Sequence, residues 1–249
     1  MLDVAVDAAK QAARLTYGYF KKQPKVSYKS DNSPVTLADI EAEKLIKKII
    51  AKKFPDHGFI GEEFGNEKPN AKYQWVIDPI DGTRDFSRQT PFWCNLIAVL
   101  ENGKPIIGVI LYPAFNELFT AQKNKGTYLN GKKSHVSTVS NFERSYLLHT
   151  QPHHFEARHK MPEFVKMCKI VHTTRNIGSY SYSLLLKGHA DVYVAGHGAI
   201  YDFAAPSIVV EEAGGKFSDF DGKFKLDSDT AIFSNGRLHQ RVINIINNE

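Results

Sequence analysis

The 249-residue chain has few of the features that mark secreted or membrane proteins. Its only cysteines are Cys94 and Cys168, too few for a disulfide framework, and this fits a reducing compartment. No apolar run approaches the ~20 residues that span a bilayer. The N-terminal segment is acidic early and has no basic region, so it lacks the pattern of a signal peptide. We therefore expect a cytoplasmic protein with no membrane partner.

The basic residues lack the arrangement that nucleic-acid binding needs. The net charge is +5, and the lysines are spread along the chain in short pairs. A nucleic-acid groove would interleave basic residues with stacking aromatics on one surface, and no such run occurs. We predict no nucleic-acid partner. The mild positive charge would instead attract a small anionic substrate.

Apolar periodicity predicts alternating helices and strands without repeats or linkers. Helices are predicted at about residues 2–17, 36–50, 155–168, 181–187, 203–213 and 238–246. Strands are predicted at about 59–60, 73–77, 94–100, 105–112, 116–121, 126–129, 145–149, 170–172, 190–195 and 231–233. Thr36 fits an N-cap with Asp39 three residues later, and the preceding stretch, 25–35, is predicted to be a loop or a short hairpin. The pattern indicates layered sheets and helices in one compact unit.

Acidic residues stand at the ends of predicted elements rather than on helical surfaces. They are Asp39, the pair Glu62 and Glu63, the pair Asp78 and Asp81, and Asp202. Oxygen ligands at such positions are typical of Mg²⁺ sites, which also keep water and substrate phosphate in the coordination shell. None of the ten histidines is needed for this chemistry. We expect four of them at the surface: His57, His153, His154 and His239.

The most informative segment is Asp78-Pro-Ile-Asp-Gly-Thr83. A turn here can aim Asp78, the Ile80 carbonyl and Asp81 toward one point. Gly82 permits a backbone that presents N–H groups to an anion, and Thr83 adds a hydroxyl at a helix start. Taken alone, the segment could also be a turn capped by aspartates. The other acidic residues favour a metal site that also binds phosphate.

Four motifs together resemble one family of enzymes. They are Ser33-Pro-Val-Thr-Leu-Ala-Asp39, Gly61-Glu-Glu63, Trp75-Val-Ile-Asp-Pro-Ile-Asp-Gly-Thr83, and Tyr201-Asp-Phe-Ala-Ala205 running into Glu211-Glu-Ala-Gly-Gly215. In this order they resemble the inositol monophosphatase superfamily of magnesium-dependent, lithium-sensitive phosphatases, over about residue 30 to the end. One departure is Tyr201, where the family usually has tryptophan.

The resemblance implies an α/β fold, a layered αβαβα sandwich of the inositol monophosphatase and fructose-1,6-bisphosphatase type. It implies one phosphatase domain over 1–249, with an N-terminal α+β lobe at about 1–140 and a C-terminal α/β lobe at about 141–249. It also implies a homodimer. The expected activity is hydrolysis of a small phosphorylated metabolite by a water molecule that magnesium activates.

The resemblance also implies a role for each acidic residue. Glu62, Asp78 and the Ile80 carbonyl would hold a first Mg²⁺, and Asp78, Asp81 and Asp202 a second. A third ion would depend on Glu62, which predicts inhibition by millimolar lithium. The implied catalytic residues are Asp39, Glu62 and Thr83, with Asp39 and Thr83 orienting the attacking water. The implied substrate contacts are Asp81, Gly82, Thr83, Arg84, Arg175, Tyr180 and Asp202.

The segments that would contact the alcohol match no single subtype. Members acting on inositol phosphates carry an acidic residue seven positions before the last metal aspartate, and here it is Ala195. Members acting on histidinol phosphate resemble the chain at Arg84 and Arg175, but carry an aspartate where this chain has Tyr180. Histidinol phosphate is favoured over inositol phosphate. Fructose bisphosphate, a nucleotide 3′-phosphate or another small phosphate is also open.

A non-catalytic relative that binds a phosphorylated metabolite or a partner protein is the alternative of a different class. Loss of metal ligands would favour it. Every side-chain ligand that the resemblance implies is present in this sequence, so an enzyme is favoured.

Overall fold

The computed structural model describes residues 1–22, 26–28 and 34–248. Ser33, the first residue of one of the four motifs, lies outside the described residues. The helices in the described part of the chain are α1 (Leu2–Phe20), α2 (Leu37–Lys53), α3 (Thr83–Ser87), α4 (Pro152–Glu156), α5 (Met161–Ile170), α6 (Ser181–Leu186), α7 (Ile200–Glu212) and α8 (His239–Asn247).

The strands of the described residues form three sheets. They are β1 (Val26–Tyr28), β2 (Pro34–Thr36), β3 (Gly58–Gly61), β4 (Gly65–Glu67), β5 (Tyr73–Asp81), β6 (Cys94–Glu101), β7 (Lys104–Tyr112), β8 (Glu117–Gln122), β9 (Gly126–Leu129), β10 (Lys132–Ser134), β11 (Tyr146–His149), β12 (Thr173–Arg175), β13 (Val192–Ala195), β14 (Lys216–Ser218) and β15 (Ala231–Ser234). The large sheet has the order β10-β9-β8-β7-β6-β5-β3-β4, and the small sheet the order β12-β11-β13-β15-β14. Strands β1 and β2 pair antiparallel, in agreement with the short hairpin.

Side chains alternate between the two faces of a sheet, and the large and small sheets each pack helices on both faces. On one face of the large sheet, Trp75, Ile97 and Val109 pack against α1 and α2. On its other face, Val76 and Ile110 belong to a core shared with α6 and α7. That core includes side chains of the small sheet, whose opposite face packs against α4, α5 and α8. The order of layers is αβαβα, which confirms the predicted fold class. The division into two lobes stays a prediction.

Helix α7 lies close to the large sheet because Gly108 of β7 has no side chain. A Cβ atom at Gly108 would come within 2.7 Å of Ile208 Cγ2 and 2.8 Å of the Ala205 carbonyl oxygen. These distances are too short for any real side chain. The contact holds α7 against the sheet, and the start of α7 carries Asp202.

Several predicted elements differ from the structure. The helix predicted over 155–168 is two helices, α4 and α5, separated by His159 at φ 56°. Pro162 lies in the first turn of α5, where its missing N–H leaves no bond unmade. The strand predicted at 170–172 is wrong, because Ile170 ends α5 and the strand begins at Thr173. Strands β4, β10 and β14 were not predicted.

Helix α2 begins at the predicted N-cap. Thr36 Oγ1 accepts the Ala38 N–H at 3.2 Å, and Asp39 accepts the Thr36 N–H at 2.8 Å. Leu37, the first residue of this helix, is 55% exposed. None of the helices in the described ranges combines the length and apolarity that a membrane span needs.

Candidate active site

A cavity of about 260 Å³ opens where the end of β5 and the starts of α3 and α7 meet. The segments that follow β11, β12 and β13 complete its walls. Six of the predicted site residues line it: Glu62, Asp81, Gly82, Thr83, Arg84 and Asp202. The structure therefore brings together residues that are up to 140 positions apart in the sequence.

Three carboxylates form a tight group, and two of them, Asp81 and Asp202, line this cavity. Oxygen atoms of Asp78, Asp81 and Asp202 lie within 4.8 Å of one another, a spacing at which they could hold a metal ion. In the described ranges, none of the three forms an ion pair with lysine or arginine. Glu62 lies outside this group of three, and its carboxyl is hydrogen-bonded to Asp78.

Burial raises the pKa of each carboxyl in the group. Loss of solvent raises the pKa of Asp78 well above its usual range, and the charges of Glu62, Asp81 and Asp202 add to the effect. Burial raises the pKa of Asp81 to about 7 against an opposing hydrogen bond from Ser179. Burial and the charge of Asp81 raise the pKa of Asp202 to about 7. Without a cation, the group would hold protons near neutral pH.

A bulge in β5 places Asp78 and Asp81 on the same face of the sheet. Asp78 pairs with Leu96 and Asp81 with Cys94, so two residues of β5 stand opposite Asn95 alone. In a regular strand, residues three apart point to opposite faces, and one extra residue reverses that. Pro79 fits a bulge because it has no N–H to donate. The strand was predicted to stop at Asp78, whereas it continues to Asp81.

Hydrogen bonds of its side chain and of its backbone hold Asp202 at the start of α7. Its Oδ2 accepts the Ala199 N–H at 2.6 Å. Its carbonyl oxygen would normally accept a bond from the residue four positions later, but that residue is Pro206. The buried Tyr182 hydroxyl donates to this carbonyl oxygen instead, at 3.2 Å. The proline thus frees a backbone acceptor that ties α7 to α6.

Glu62 follows β3 in a turn that a buried glutamate holds in place. The Glu43 side chain, fully buried on α2, accepts the Glu63 N–H at 2.8 Å and the Phe64 N–H at 3.3 Å. Glu43 fits here because Gly61 has no side chain. A Cβ atom at Gly61 would lie 1.8 Å from Glu43 Oε1. These contacts determine where the backbone on either side of Glu62 lies.

The predicted Asp39–Thr83 pair lies beside the carboxylate group. The Thr83 hydroxyl is 3.4 Å from Asp39 Oδ1 and 3.1 Å from the Ile80 carbonyl oxygen. Asp39 is fully buried, and burial raises its pKa to about 6 even though bonds from Thr36 oppose the shift. The Thr83 hydroxyl therefore has two acceptors near it, and a water molecule could take the place of one.

Gly82 brings the backbone close to the cavity at the start of α3. Its φ is 94°, a conformation that side chains rarely adopt. A Cβ atom there would lie 2.9 Å from Ser179 Oγ and 3.2 Å from the Phe92 carbonyl oxygen. The first N–H groups of a helix have no acceptor within it, so the start of α3 can face an anion.

The outer wall of the cavity contains residues that the sequence reasoning missed. They are Asp85, His154, Ser179 and His197. His154 and His197 follow the parallel strands β11 and β13, whose carboxyl ends meet at one edge of the small sheet. That strand order would have been the signal. Burial lowers the pKa of His154 to about 4, with the positive charges of neighbouring histidines and Arg84 acting in the same direction.

Three histidines predicted at the surface, His57, His154 and His239, are instead partly or fully buried. His239 lies between Ser218 and Ser234, 2.9 Å from each hydroxyl, and burial lowers its pKa to about 4. His57 is half-buried and accepts the Trp75 indole N–H at 2.9 Å. His153 is exposed as predicted.

Arg175 and Tyr180 lie outside the cavity walls. Arg175 is exposed at the end of the edge strand β12. The Tyr180 ring packs on Phe115, with ring centroids 4.3 Å apart, and its hydroxyl lies 3.3 Å from Glu117. Ala195 is buried in the core at the end of β13.

Comparison with known protein families matches residues 1–249 to the "Inositol monophosphatase family". The chain belongs to this family. The histidinol-phosphatase of Chlorobaculum parvum is 34% identical, and the match covers 99% of this chain and 96% of that protein. The "Nus factor SuhB" of Pasteurella multocida is 32% identical, covering 99% and 95%. The solved structure of the Thermotoga maritima IMPase has a TM-score of 0.90 and 31% identity, covering 99% and 96%.

Relatives within the inositol monophosphatase family therefore carry at least three different names at similar identity. The family accounts for the fold and for the order of the acidic motifs. Arg84, Asp85 and His154 line the same cavity as the acidic residues.

Proposed function

We propose that the chain is a Mg²⁺-dependent phosphomonoesterase that hydrolyses a small phosphorylated metabolite. The observation that carries this proposal is the group of Asp78, Asp81 and Asp202, with carboxylate oxygens within 4.8 Å at the wall of a cavity. Membership of a phosphatase family supports it.

The donor set fits magnesium. It consists of carboxylate and carbonyl oxygens, which hard cations prefer. Burial and mutual repulsion raise the pKa values of these carboxyls. A bound cation would offset both the loss of solvent and the repulsion between the negative charges. Glu62, Asp78 and the Ile80 carbonyl would hold one ion. Asp78, Asp81 and Asp202 would hold a second, with a third ion beside Glu62. Bound magnesium would supply water of lowered pKa and neutralise charge on the ester oxygens.

The protein's own groups would orient the reactants. The Thr83 hydroxyl would accept a hydrogen bond from the attacking water. It would donate its own proton to the buried Asp39 carboxylate, which lies 3.4 Å away. The N–H groups of Gly82 and Thr83 would bind phosphate oxygens at the start of α3, and Arg84 would add a positive charge at the rim. The buried walls would limit the access of bulk water.

Within this proposal, histidinol phosphate is the favoured substrate and inositol 1-phosphate the alternative. The 34% identity to a histidinol-phosphatase supports the first choice. Ala195 supports it too, because this buried alanine has no oxygen to bind a ring hydroxyl.

Phosphate release from four esters in Mg²⁺ distinguishes these substrates. The panel is histidinol phosphate, inositol 1-phosphate, fructose 1,6-bisphosphate and adenosine 3′,5′-bisphosphate. We expect histidinol phosphate to give the highest kcat/KM. A higher value for inositol 1-phosphate would select the alternative.

A non-catalytic binding protein is the second candidate, favoured by the likeness to a Nus factor. It predicts binding of a phosphate ester without turnover in Mg²⁺. Release of no phosphate from any ester, by protein that binds one of them, would support it over the enzyme.

We further propose that the enzyme is a cytoplasmic homodimer. Two free cysteines, one of them buried, fit a reducing compartment. Light scattering after gel filtration would give the mass of the assembly, against 28.0 kDa for one chain.

A further inference from the structure

Asp85 places a carboxylate in the cavity wall apart from the proposed metal ligands. It lies on α3 and lines the cavity, half-buried. Its Oδ1 accepts the Thr90 hydroxyl at 2.5 Å. No lysine, arginine or histidine forms an ion pair with it in the described ranges. One of its two oxygens therefore has a polar partner, and the charge has no counter-ion.

The second oxygen faces the segment that also contacts Asp81. A Cβ atom at Gly178 would lie 2.6 Å from Asp85 Oδ2, which shows how close this oxygen comes to that backbone. The next residue, Ser179, hydrogen-bonds to Asp81. One short segment thus packs against both carboxylates. Asp85 and Asp81 lie on the same wall, but Asp85 is outside the group of three aspartates.

The neighbouring Arg84 forms no ion pair with this carboxylate in the described ranges. The positive charge of Arg84 is one of several that lower the pKa of His154. Burial raises the pKa of Asp85, and only the Thr90 hydrogen bond lowers it. The cavity thus carries separate positive and negative groups in addition to the proposed metal ligands. An unpaired carboxylate that is partly removed from water gains most from a cationic ligand.

We infer that Asp85 binds a positively charged nitrogen on the alcohol part of the substrate. This inference rests on the proposed phosphatase function and narrows the substrate class to phosphate monoesters of amino alcohols. The phosphate lies at the α3 start and the aspartate group, and the ammonium lies against Asp85 Oδ2. A neutral polyol phosphate leaves the carboxylate without a counter-ion and is the poorer substrate.

A pair of esters, one with and one without the ammonium group, tests the assignment. The probes are L-histidinol phosphate and its N-acetyl derivative, which lacks the ammonium. The variant Asp85→Asn removes the charge and keeps an oxygen for Thr90. The control Thr90→Val removes the hydrogen bond and keeps the charge. We expect Asp85→Asn to lower the preference for the amine, as a ratio of kcat/KM values, by about tenfold or more. We expect Thr90→Val to leave that ratio within about twofold.

Calorimetric binding of the same two esters separates this inference from the proposed function. A fall in the affinity ratio on Asp85→Asn supports the inference whether or not phosphate is released. An equal loss for both esters, or a matching loss in Thr90→Val, would show a purely structural role and overturn it. Failure of the unaltered protein to bind the amine ester more tightly would also overturn it. Phosphate release from both esters alongside that failure would leave the phosphatase proposal standing.

Discussion

The contact between Gly61 and Glu43 makes a demanding prediction about the turn that carries Glu62. In the variant Gly61→Ala, the new methyl group would begin 1.8 Å from Glu43 Oε1 and 2.5 Å from its Cδ. Ordinary carbon–oxygen contacts are longer than about 3 Å, so the carboxylate must move by more than about 1 Å. Both of its hydrogen bonds, at 2.8 and 3.3 Å, would then be lost or badly strained.

The size of the effect follows from those two bonds. A hydrogen bond to a charged group contributes about 1.5–3 kcal/mol, so losing both lowers the free energy of unfolding by about 3–6 kcal/mol. For a domain of this size, each kcal/mol corresponds to about 2–4 °C in Tm, and we expect a fall of about 6–24 °C. Because Glu62 lies next to the displaced backbone, the affinity for Mg²⁺ should fall as well.

Denaturant unfolding and Mg²⁺ calorimetry on four proteins provide the measurement: the unaltered chain, Gly61→Ala, Glu43→Ala and the double variant. Removing the Glu43 side chain makes room for the methyl group. Gly61→Ala should therefore cost only about 1 kcal/mol or less in the Glu43→Ala background, a coupling of at least about 2 kcal/mol. Equal costs in the two backgrounds would refute the steric argument.

Two other predictions concern charge and the attacking water. Asp81 and Asp202 have pKa values of about 7 in the fold, against 3.8 for an ordinary aspartate. Their contribution to the stability of the metal-free fold is therefore complete below about pH 4 and is lost as the pH rises to about 7. A Mg²⁺ concentration of 100 times the Kd at pH 8 should therefore raise Tm by about 5–10 °C at pH 8, and the same concentration should raise it much less at pH 5. Equal thermal shifts at the two pH values would contradict this. Thr83→Val should lower kcat by about 100-fold or more, whereas Thr83→Ser should keep kcat within a few-fold of the unaltered chain, with Mg²⁺ affinity preserved in both. Similar kcat values in the two variants would show that the hydroxyl is not required.

Local capping and turn chemistry could be predicted from the sequence because both depend on neighbouring residues. The capping of α2 by Thr36 and Asp39 formed as expected. The turn between β6 and β7 uses Asn102 and Gly103 at φ 48° and 77°, as an Asn-Gly pair favours. The αβαβα class followed from the family resemblance rather than from periodicity.

The β5 bulge could not be predicted because it depends on the pairing partner. The sequence shows Pro79 as a break, but the extra residue opposite Asn95 appears only when the register with β6 is known. The same limit applies to the cavity wall. Asp85 looks like an ordinary helical surface residue until the segment at Gly178 is placed beside it.

Tertiary packing also overrode the assignment of His239 to the surface. His239 has the polarity of a surface residue, yet two buried serine hydroxyls satisfy both ring nitrogens. Polar side chains are buried where partners exist, and partners distant in sequence are not visible in a local pattern.

The central claim is that the aspartate group at the end of β5 holds the magnesium on which phosphate release depends. The most direct measurement is Mg²⁺-dependent phosphate release by Asp81→Asn, with Mg²⁺ binding and Tm recorded on the same preparation. The variant keeps the size of the side chain and removes one buried charge, so we predict a metal-free Tm at or above that of the unaltered chain. We also predict weaker Mg²⁺ binding and a fall in phosphate release of at least about a thousandfold. Near-normal turnover by Asp81→Asn in Mg²⁺ would contradict the account.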